Sequence, residues 1–356
     1  MIGEAALLIP SRECRVLRYS ILIVWKEGIM GFRTVEITGP AELHVRSGSL
    51  IIEKELKSET NSSCRDSSKT KKQSKKIKDS ERSKIQIPLE DINTIVCMGA
   101  AIRISTMAMA QICANKISMT MLDEKYRPAG ILTAYEANSK QSLIMRKQAY
   151  IGKERAERLW ERIVRAKIQN QADALDILGL PDAERVKNYI SMINRQTNID
   201  AIEAGAAKEY FAVLCPDIIR REESPINSRL NYGYSVIRNT IIRASVAAGL
   251  LPSFGIHHQN LYNAYNLADD LIEPFRPSLD VIAYRSEEDT IKLSREERKQ
   301  LASVLQNAVI IGNKKVPVLQ AIDLFVSQYR DYILEEREEI DLPIIAPTEI
   351  ISQIRE

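Results

Sequence analysis

Two of the chain's three histidines stand side by side, His257 and His258, and three carboxylates follow at Asp269, Asp270 and Glu273. Asp270 and Glu273 are three apart in an apolar-periodic run of Leu261, Tyr265, Leu267, Leu271 and Ile272. On a helix, residues at that spacing share a face, and Pro274 would close the helix. One imidazole beside carboxylate oxygens suits a hard divalent cation, Mg²⁺ or Mn²⁺, better than zinc, which takes more His and Cys. The same residues also fit a capped amphipathic helix with a solvated acidic face, since acid pairs at this spacing are common on helix surfaces. Spacing alone leaves both open.

The elements that would position these groups divide at about residue 100. From Phe32 onward, short alternating runs are separated by turn signals at Gly39-Pro40 and Ser47-Gly48, with two later runs at 84–89 and 92–97. This pattern predicts a small antiparallel β-sandwich over 30–100. Residues 58–84 interrupt it with a Ser- and Lys-rich stretch almost free of apolar side chains. Such a stretch cannot offset its ordering entropy by burial and is expected to be a disordered insertion. Its lysines could meet phosphates, but a solvated tether is the simpler expectation. Residues 101–130 are expected to join the two parts, with helical spacing over 105–116, a short apolar strand over 117–122 and a loop over 123–130.

The rest, 131–340, is expected to be all-α, so the chain as a whole is α+β. A long helix is expected over 139–171, with Ile144, Tyr150, Leu159, Trp160, Ile163 and Ile168 facing inward. Arg146, Lys147, Lys153, Arg155, Arg158, Arg162, Arg165 and Lys167 form a basic stripe along it. The stripe could follow a phosphate backbone, although Glu154, Glu157 and Glu161 dilute it and fit a salt-bridged surface equally well. Further helices are expected over 181–193, over 201–214 behind a cap at Asn198-Ile199-Asp200, and from Ser224-Pro225 to Ala248, where Gly249 is placed to cap. In the second of these, Glu203 precedes Ala204-Gly205-Ala206-Ala207, small residues that let another element approach beside one acid. After Pro277 come a linker, a helix over 294–311, a turn at Gly312-Asn313, a helix over 316–338 and a tail, 341–356.

The totals narrow the class. The 356 residues carry a formal net charge of only +3, so nucleic-acid binding would need local basic clustering. Five scattered cysteines without paired spacing fit reduced thiols and a cytoplasmic protein, with no zinc or disulfide framework. No apolar run reaches membrane-spanning length. Residues 1–29 lack the order of a signal peptide, and alternation begins at once after Met30, so they are expected to be an upstream extension.

Four stretches carry a resemblance: 30–53 (MGFRTVEIT…GSLIIEKE), 202–211 (IEAGAAKEYF), 227–252 (NSRLNYGYSVIRNTIIRASVAAGLLP) and 255–280 (GIHHQN…NLADDLIEPFRPSLD). Over roughly 30–340 the chain resembles the CRISPR adaptation integrases, the endonucleases that insert new spacers. The HHQN…NLADDL form is similar to those of systems with a single large effector nuclease. The resemblance implies a metal glutamate at Glu203, within Glu-x-x-Ala-Ala. It implies a metal histidine at His258, with His257 as the fallback. The last ligand falls in Asp270-Leu271-Ile272-Glu273, with Glu273 favoured and Asp270 a near neighbour or second ligand. It further implies Mn²⁺ or Mg²⁺ and attack of a DNA 3′-hydroxyl on the repeat backbone, with hydrolysis as a side activity. Homodimers through the β domain and a small ferredoxin-like CRISPR-associated partner are also implied. DNA would be held by basic side chains, with Arg146, Lys147, Arg155, Arg158, Arg162 and Arg243 as candidates. The rival is a non-catalytic DNA-binding scaffold of the same fold, which would have no need of Glu203, His258 and Glu273 together.

Overall fold

The computed structural model describes residues 21–24, 33–55, 82–98, 101–123, 128–135, 138–194, 197–216, 219, 222–286 and 289–346. The chain divides into two compact units, Met1–Ala134 and Tyr135–Glu356. Most of the Ser- and Lys-rich insertion, the stretch at Met30 and most of the tail lie outside the described residues.

The first unit contains β1 (Ile21–Val24), β2 (Arg33–Ile37), β3 (Ala41–Arg46), β4 (Ser49–Glu55), β5 (Arg82–Pro88), β6 (Ile92–Cys97), β7 (Ile102–Ile104), α1 (Thr106–Ala114), β8 (Ser118–Leu122) and β9 (Pro128–Leu132). They form a five-stranded sheet, β1-β2-β6-β8-β9, and a four-stranded sheet, β5-β4-β3-β7. The turn between β3 and β4 has positive φ at both Ser47 and Gly48, the mirror-image turn that matches the twist of a tight hairpin. Alternate residues of both sheets, among them Val35, Ile37, Leu43, Leu50, Ile52, Ile87 and Ile95, meet in one core that Ile112 of α1 joins.

The expected all-antiparallel arrangement is corrected. β2 with β6, β6 with β8 and β3 with β7 are parallel pairs. The chain leaves the first sheet after β2, builds β3 to β5 in the other, and returns as β6. Neighbours in a sheet are therefore not consecutive in sequence, and the return brings them back in the same direction. Residues 101–130 are corrected too. They hold β7, α1 and β8 and begin β9, the last from a stretch expected to be loop, because β8 adds to β6 and β9 to β8. Ile21–Val24, inside the expected extension, is a strand paired with β2.

The second unit contains α2 (Gln141–Ala149), α3 (Lys153–Leu178), α4 (Ala183–Lys187), α5 (Tyr189–Met192), α6 (Ile199–Leu214), α7 (Pro225–Ala247), α8 (Asn266–Leu271), α9 (Arg276–Tyr284), α10 (Arg295–Ala302), β10 (Ala308–Ile311), β11 (Lys314–Pro317), α11 (Val318–Ile333) and β12 (Ile344–Ile345). The single helix expected over 139–171 is two, broken at 150–152, where Gly152 takes an extended cap conformation before α3. The unit is not all-α. Residues 308–311 form β10, and Gly312-Asn313 turns a hairpin into β11, because Val309 and Ile311 alternate inward. The linker expected after Pro277 is corrected: Arg276–Tyr284 form α9, with Pro277 in its first turn, a position where its missing N–H is not needed. Among the described residues, no helix is long and apolar enough to cross a membrane.

Three side-chain features lock the helices that carry the candidate site. Asn198 and Ser224 accept backbone N–H bonds at the starts of α6 and α7. A Cβ at Gly233 would lie 2.3 Å from Leu279, so only glycine lets α9 press its side chain against α7. The buried carboxylate of Asp280 on α9 accepts the hydroxyls of Tyr210 on α6, at 3.0 Å, and of Tyr234 on α7.

Candidate metal centre

The long central helix α3 buries Leu159, Trp160, Ile163, Val164, Ile168, Ala172 and Leu175 at helical spacing. Lys167, Asn170 and Gln171 are buried on it as well. Asn170 donates to the Pro274 carbonyl at 2.7 Å and the Pro343 carbonyl at 2.9 Å, and accepts from the Ile345 N–H. It thus fastens α3 to the turn after α8. That turn, Glu273–Phe275, is a 3-10 turn. Pro274 and Pro277 have no N–H to return to the carbonyls of Asp270 and Glu273, so an α-helix cannot run through.

This break separates the two acids that sequence spacing set on one face. Asp270 turns back to the loop before α8 and accepts the backbone N–H groups of Ile256 at 2.6 Å, His257 at 2.9 Å and His258 at 3.2 Å. Its Oδ1 also lies 2.5 Å from His258 Nδ1. The carboxylate is completely buried and its bonding is used up by the loop. The expectation of Asp270 as a second ligand is therefore corrected, and its geometry is that of a neighbour holding the histidine. Gly255 makes the approach possible, since a Cβ there would sit 2.2 Å from the His258 carbonyl oxygen and 2.8 Å from Asp270 Oδ2.

Glu273 turns the other way, toward α3. Arg276 Nε is 2.9 Å from its Oε1, and Lys167 Nζ is 2.6 Å from its Oε2. The lysine's approach is not aligned as a hydrogen bond, so this buried oxygen has an ion contact without an aligned donor. The same ammonium bonds Glu203 Oε1. Glu203 and Glu273 thus meet at one cation, although 70 positions separate them in sequence. Gly205, two residues after Glu203, is where α5 comes close: a Cβ would lie 2.7 Å from the Tyr189 ring.

Charges dominate the energetics. Burial would raise the Glu273 carboxyl, but Arg276 and Lys167 outweigh it and hold the group down at about 2. Burial would lower Lys167, but Glu273 and Glu203 hold it above the usual lysine range. His258 is raised by its hydrogen bond to Asp270, against partial burial. A ring whose Nδ1 is fixed on a carboxylate keeps Nε2 for another partner, the arrangement common behind metal-bound imidazoles. His257 is differently engaged. It stacks on Trp160 with centroids 4.4 Å apart, and its Nε2 is 3.1 Å from Asp200. A cleft of about 780 Å³, lined by Phe254, His257, His258, Gln259, Asn260 and Trp160 among others, opens beside the pair.

The donor set fits a hard divalent ion in type: two carboxylates, one with an oxygen lacking an aligned donor, and an imidazole held by its rear nitrogen. Yet among the described residues no three His, Cys, Asp or Glu side chains are gathered closely enough to hold an ion as they stand. The structure brings Glu203 and Glu273 together around Lys167, and does not close His258 onto them.

In the sequence Lys167 is indistinguishable from the other members of the basic stripe, and only its burial between two glutamates marks it as a site residue. Much of that stripe is spent internally. Arg155 donates to the Tyr332 carbonyl at 2.7 Å and stacks over the Tyr332 ring, and Arg162 donates to the Ile340 carbonyl at 2.8 Å. Arg243 is buried and paired with Asp323 at 2.5 Å. Arg155 and Arg162 thus spend one donor each on a carbonyl and stay partly exposed, whereas Arg243 is held in a buried pair. Arg146 is exposed, while Lys147 and Arg158 form exposed pairs with Glu335 and Glu154.

Comparison with known proteins agrees with the motifs. Residues 65–307 match the family described as CRISPR associated protein Cas1. A CRISPR-associated endonuclease Cas1 from Neisseria meningitidis serogroup C is 30% identical over 267 residues, 73% of this chain and 88% of the relative. Two solved structures share the fold. A casposase bound to integration product aligns with TM-score 0.65 at 18% identity, covering 91% of this chain and 95% of that one. A CAS1 protein from Thermotoga maritima aligns with TM-score 0.62 at 18% identity, covering 85% and 97%. By family match and by identity to a relative spanned over most of its length, the chain belongs to the Cas1 family of CRISPR-associated proteins.

Proposed function

We propose that the protein is a divalent-metal-dependent DNA integrase and endonuclease that joins a DNA 3′-hydroxyl to a CRISPR repeat by transesterification. The observation that carries this reading is the meeting of Glu203 and Glu273 at one cation, beside an imidazole whose rear nitrogen is held by a buried carboxylate. Glu203, Glu273 and His258 Nε2 would hold Mn²⁺ or Mg²⁺. Bound there, the ion would polarise a phosphodiester oxygen and stabilise charge on the reacting phosphorus. Asp270 keeps His258 oriented and favours one tautomer. Arg276 keeps Glu273 ionised in its buried setting. The cleft beside His258 is wide enough for a nucleotide, and the exposed Phe254 ring at its edge offers a stacking surface. No side chain needs to form a covalent intermediate.

Arg146, Lys147 and Arg158 remain proposed phosphate contacts, because exposed ion pairs are weak and can exchange carboxylate for phosphate. A homodimer and a small ferredoxin-like CRISPR-associated partner are proposed on the family resemblance. The test is spacer integration with Mn²⁺, the partner protein and a repeat-bearing plasmid. Wild-type protein should join and cut DNA, and Glu203→Ala should do neither while still binding DNA. The second reading, a non-catalytic scaffold, is favoured by one observation: Lys167 already fills the space between the two glutamates. DNA binding without joining or cutting by the wild type would establish it.

A further inference from the structure

Lys167 stands where a divalent ion would have to bind. Its Nζ contacts both Glu203 Oε1 and Glu273 Oε2, the second at 2.6 Å, and the side chain is almost fully buried. Metal–oxygen distances of about 2.0–2.1 Å for Mg²⁺ leave no room for an ammonium and an ion between the same two oxygens. The charges are balanced as they stand: Glu203 and Glu273 against Lys167 and Arg276. A divalent ion added to this set would face the buried ammonium of Lys167 and the half-buried guanidinium of Arg276 at close range, where the effective dielectric is below that of water.

The backbone around Lys167 is fixed. Asn170, three residues on and on the same helix face, ties α3 to the Glu273–Phe275 turn through the Pro274 carbonyl. Arg276 grips the far oxygen of Glu273. The part free to move is therefore the lysine's four-carbon stem, a flexible chain ending in a compact charge.

We propose that Lys167 is an internal counter-cation, which keeps Glu203 and Glu273 closed together without metal and must swing out from between them when a divalent ion binds. It is a positioning residue rather than a ligand. The role rests on the metal reading above and adds to it a competition: the site binds its ion against its own ammonium. It also accounts for two glutamates converging without repelling one another, since Lys167 touches both.

The test uses the full-length chain and Mn²⁺ alone, with affinity read by electron paramagnetic resonance and thermal melting followed in EDTA and in Mn²⁺. Lys167→Met should bind Mn²⁺ roughly ten- to a hundredfold more tightly than wild type, because a buried like charge has been removed. It should melt lower than wild type in EDTA and recover in Mn²⁺. Lys167→Arg, which keeps the charge, should bind Mn²⁺ no better than wild type. Unchanged or weaker Mn²⁺ binding by a folded Lys167→Met, with wild-type binding measurable, overturns the counter-cation role and leaves the metal site standing. Absence of Mn²⁺ binding in both folded proteins overturns the role and the metal site together. If Lys167→Met does not fold even with Mn²⁺, Lys167→Arg decides, and tighter binding by that variant overturns the role.

Discussion

Two glutamates, one in each unit, are shifted in opposite directions. Glu36 on β2 is pushed up to about 7 by burial. Glu273 is more deeply buried than the half-buried Glu36, yet two cations beside it hold it down at about 2. The units as a whole differ in the same way. Buried polar side chains in the first are mainly hydroxyls, Ser49, Thr94, Ser118 and Thr120, with Lys54. In the second they include Lys167, Asn170, Asp270, Glu273, Asp280, Arg229 and Glu297. An acid desolvated without a cation beside it lowers stability once ionised. An acid buried between cations becomes a fixed charge around which chemistry can be organised.

The largest effect should come from removing the charge that holds the histidine loop. Asp270→Ala strands three N–H donors, that of Ile256 buried and those of His257 and His258 half-buried, frees His258, and should cost roughly 3–5 kcal/mol in urea unfolding. A loss below about 1 kcal/mol would mean that the loop holds itself. Next comes the pair of glutamates, whose variants should respond oppositely to pH. Glu36 has a folded pKa above its ordinary value of 4.5, so its ionisation destabilises, and stability is lost as pH rises from about 4.5 to about 7. Glu36→Gln should therefore be more stable than wild type at pH 8, by up to about 3 kcal/mol, and close to it at pH 4. Glu273 has a folded pKa below its ordinary value, so its stabilisation is present above that value and is lost as pH falls toward about 2. Glu273→Gln should lose about 3 kcal/mol at pH 7 and progressively less in acid. Urea titrations across pH 3–8 in which both variants shift in the same direction would break the comparison.

A smaller effect belongs to the apolar core of the first unit. Ile95→Val, at a fully buried position, should cost roughly 0.5–1.5 kcal/mol and stay flat with pH, since no charge is involved. The smallest belongs to the exposed face of α3. Arg158→Ala removes a solvent-exposed i,i+4 pair with Glu154 and should change stability by less than about 0.5 kcal/mol. Any change it makes to DNA binding should shrink as salt rises.

How much could be read in advance varies by feature. The caps at Asn198, Ser224 and Gly249 were legible because capping is settled within a few residues. The strands over 33–37, 41–46 and 92–97 were legible from alternation. Strand direction was not, because alternation is the same for parallel and antiparallel partners and the route between sheets is not local. β10 reads as helix in the sequence because its inward residues, Val309 and Ile311, are too few to separate a period of two from one of 3.6. In the candidate site, Glu203, His258 and Glu273 could be named from motif likeness. The acid pair at Asp270 and Glu273 misled, because its spacing assumed a continuous helix through two prolines.

The chain by itself therefore determined which residue types are present for chemistry, where most elements start and stop, and which family the protein belongs to. The fold alone decided what each charge meets. Lys167 lies 36 positions from Glu203, and Asp270 and Glu273 part in opposite directions across a 3-10 turn. No local period encodes such meetings, because they arise from how helices cross once their apolar faces are buried, and burial is what makes each pairing strong.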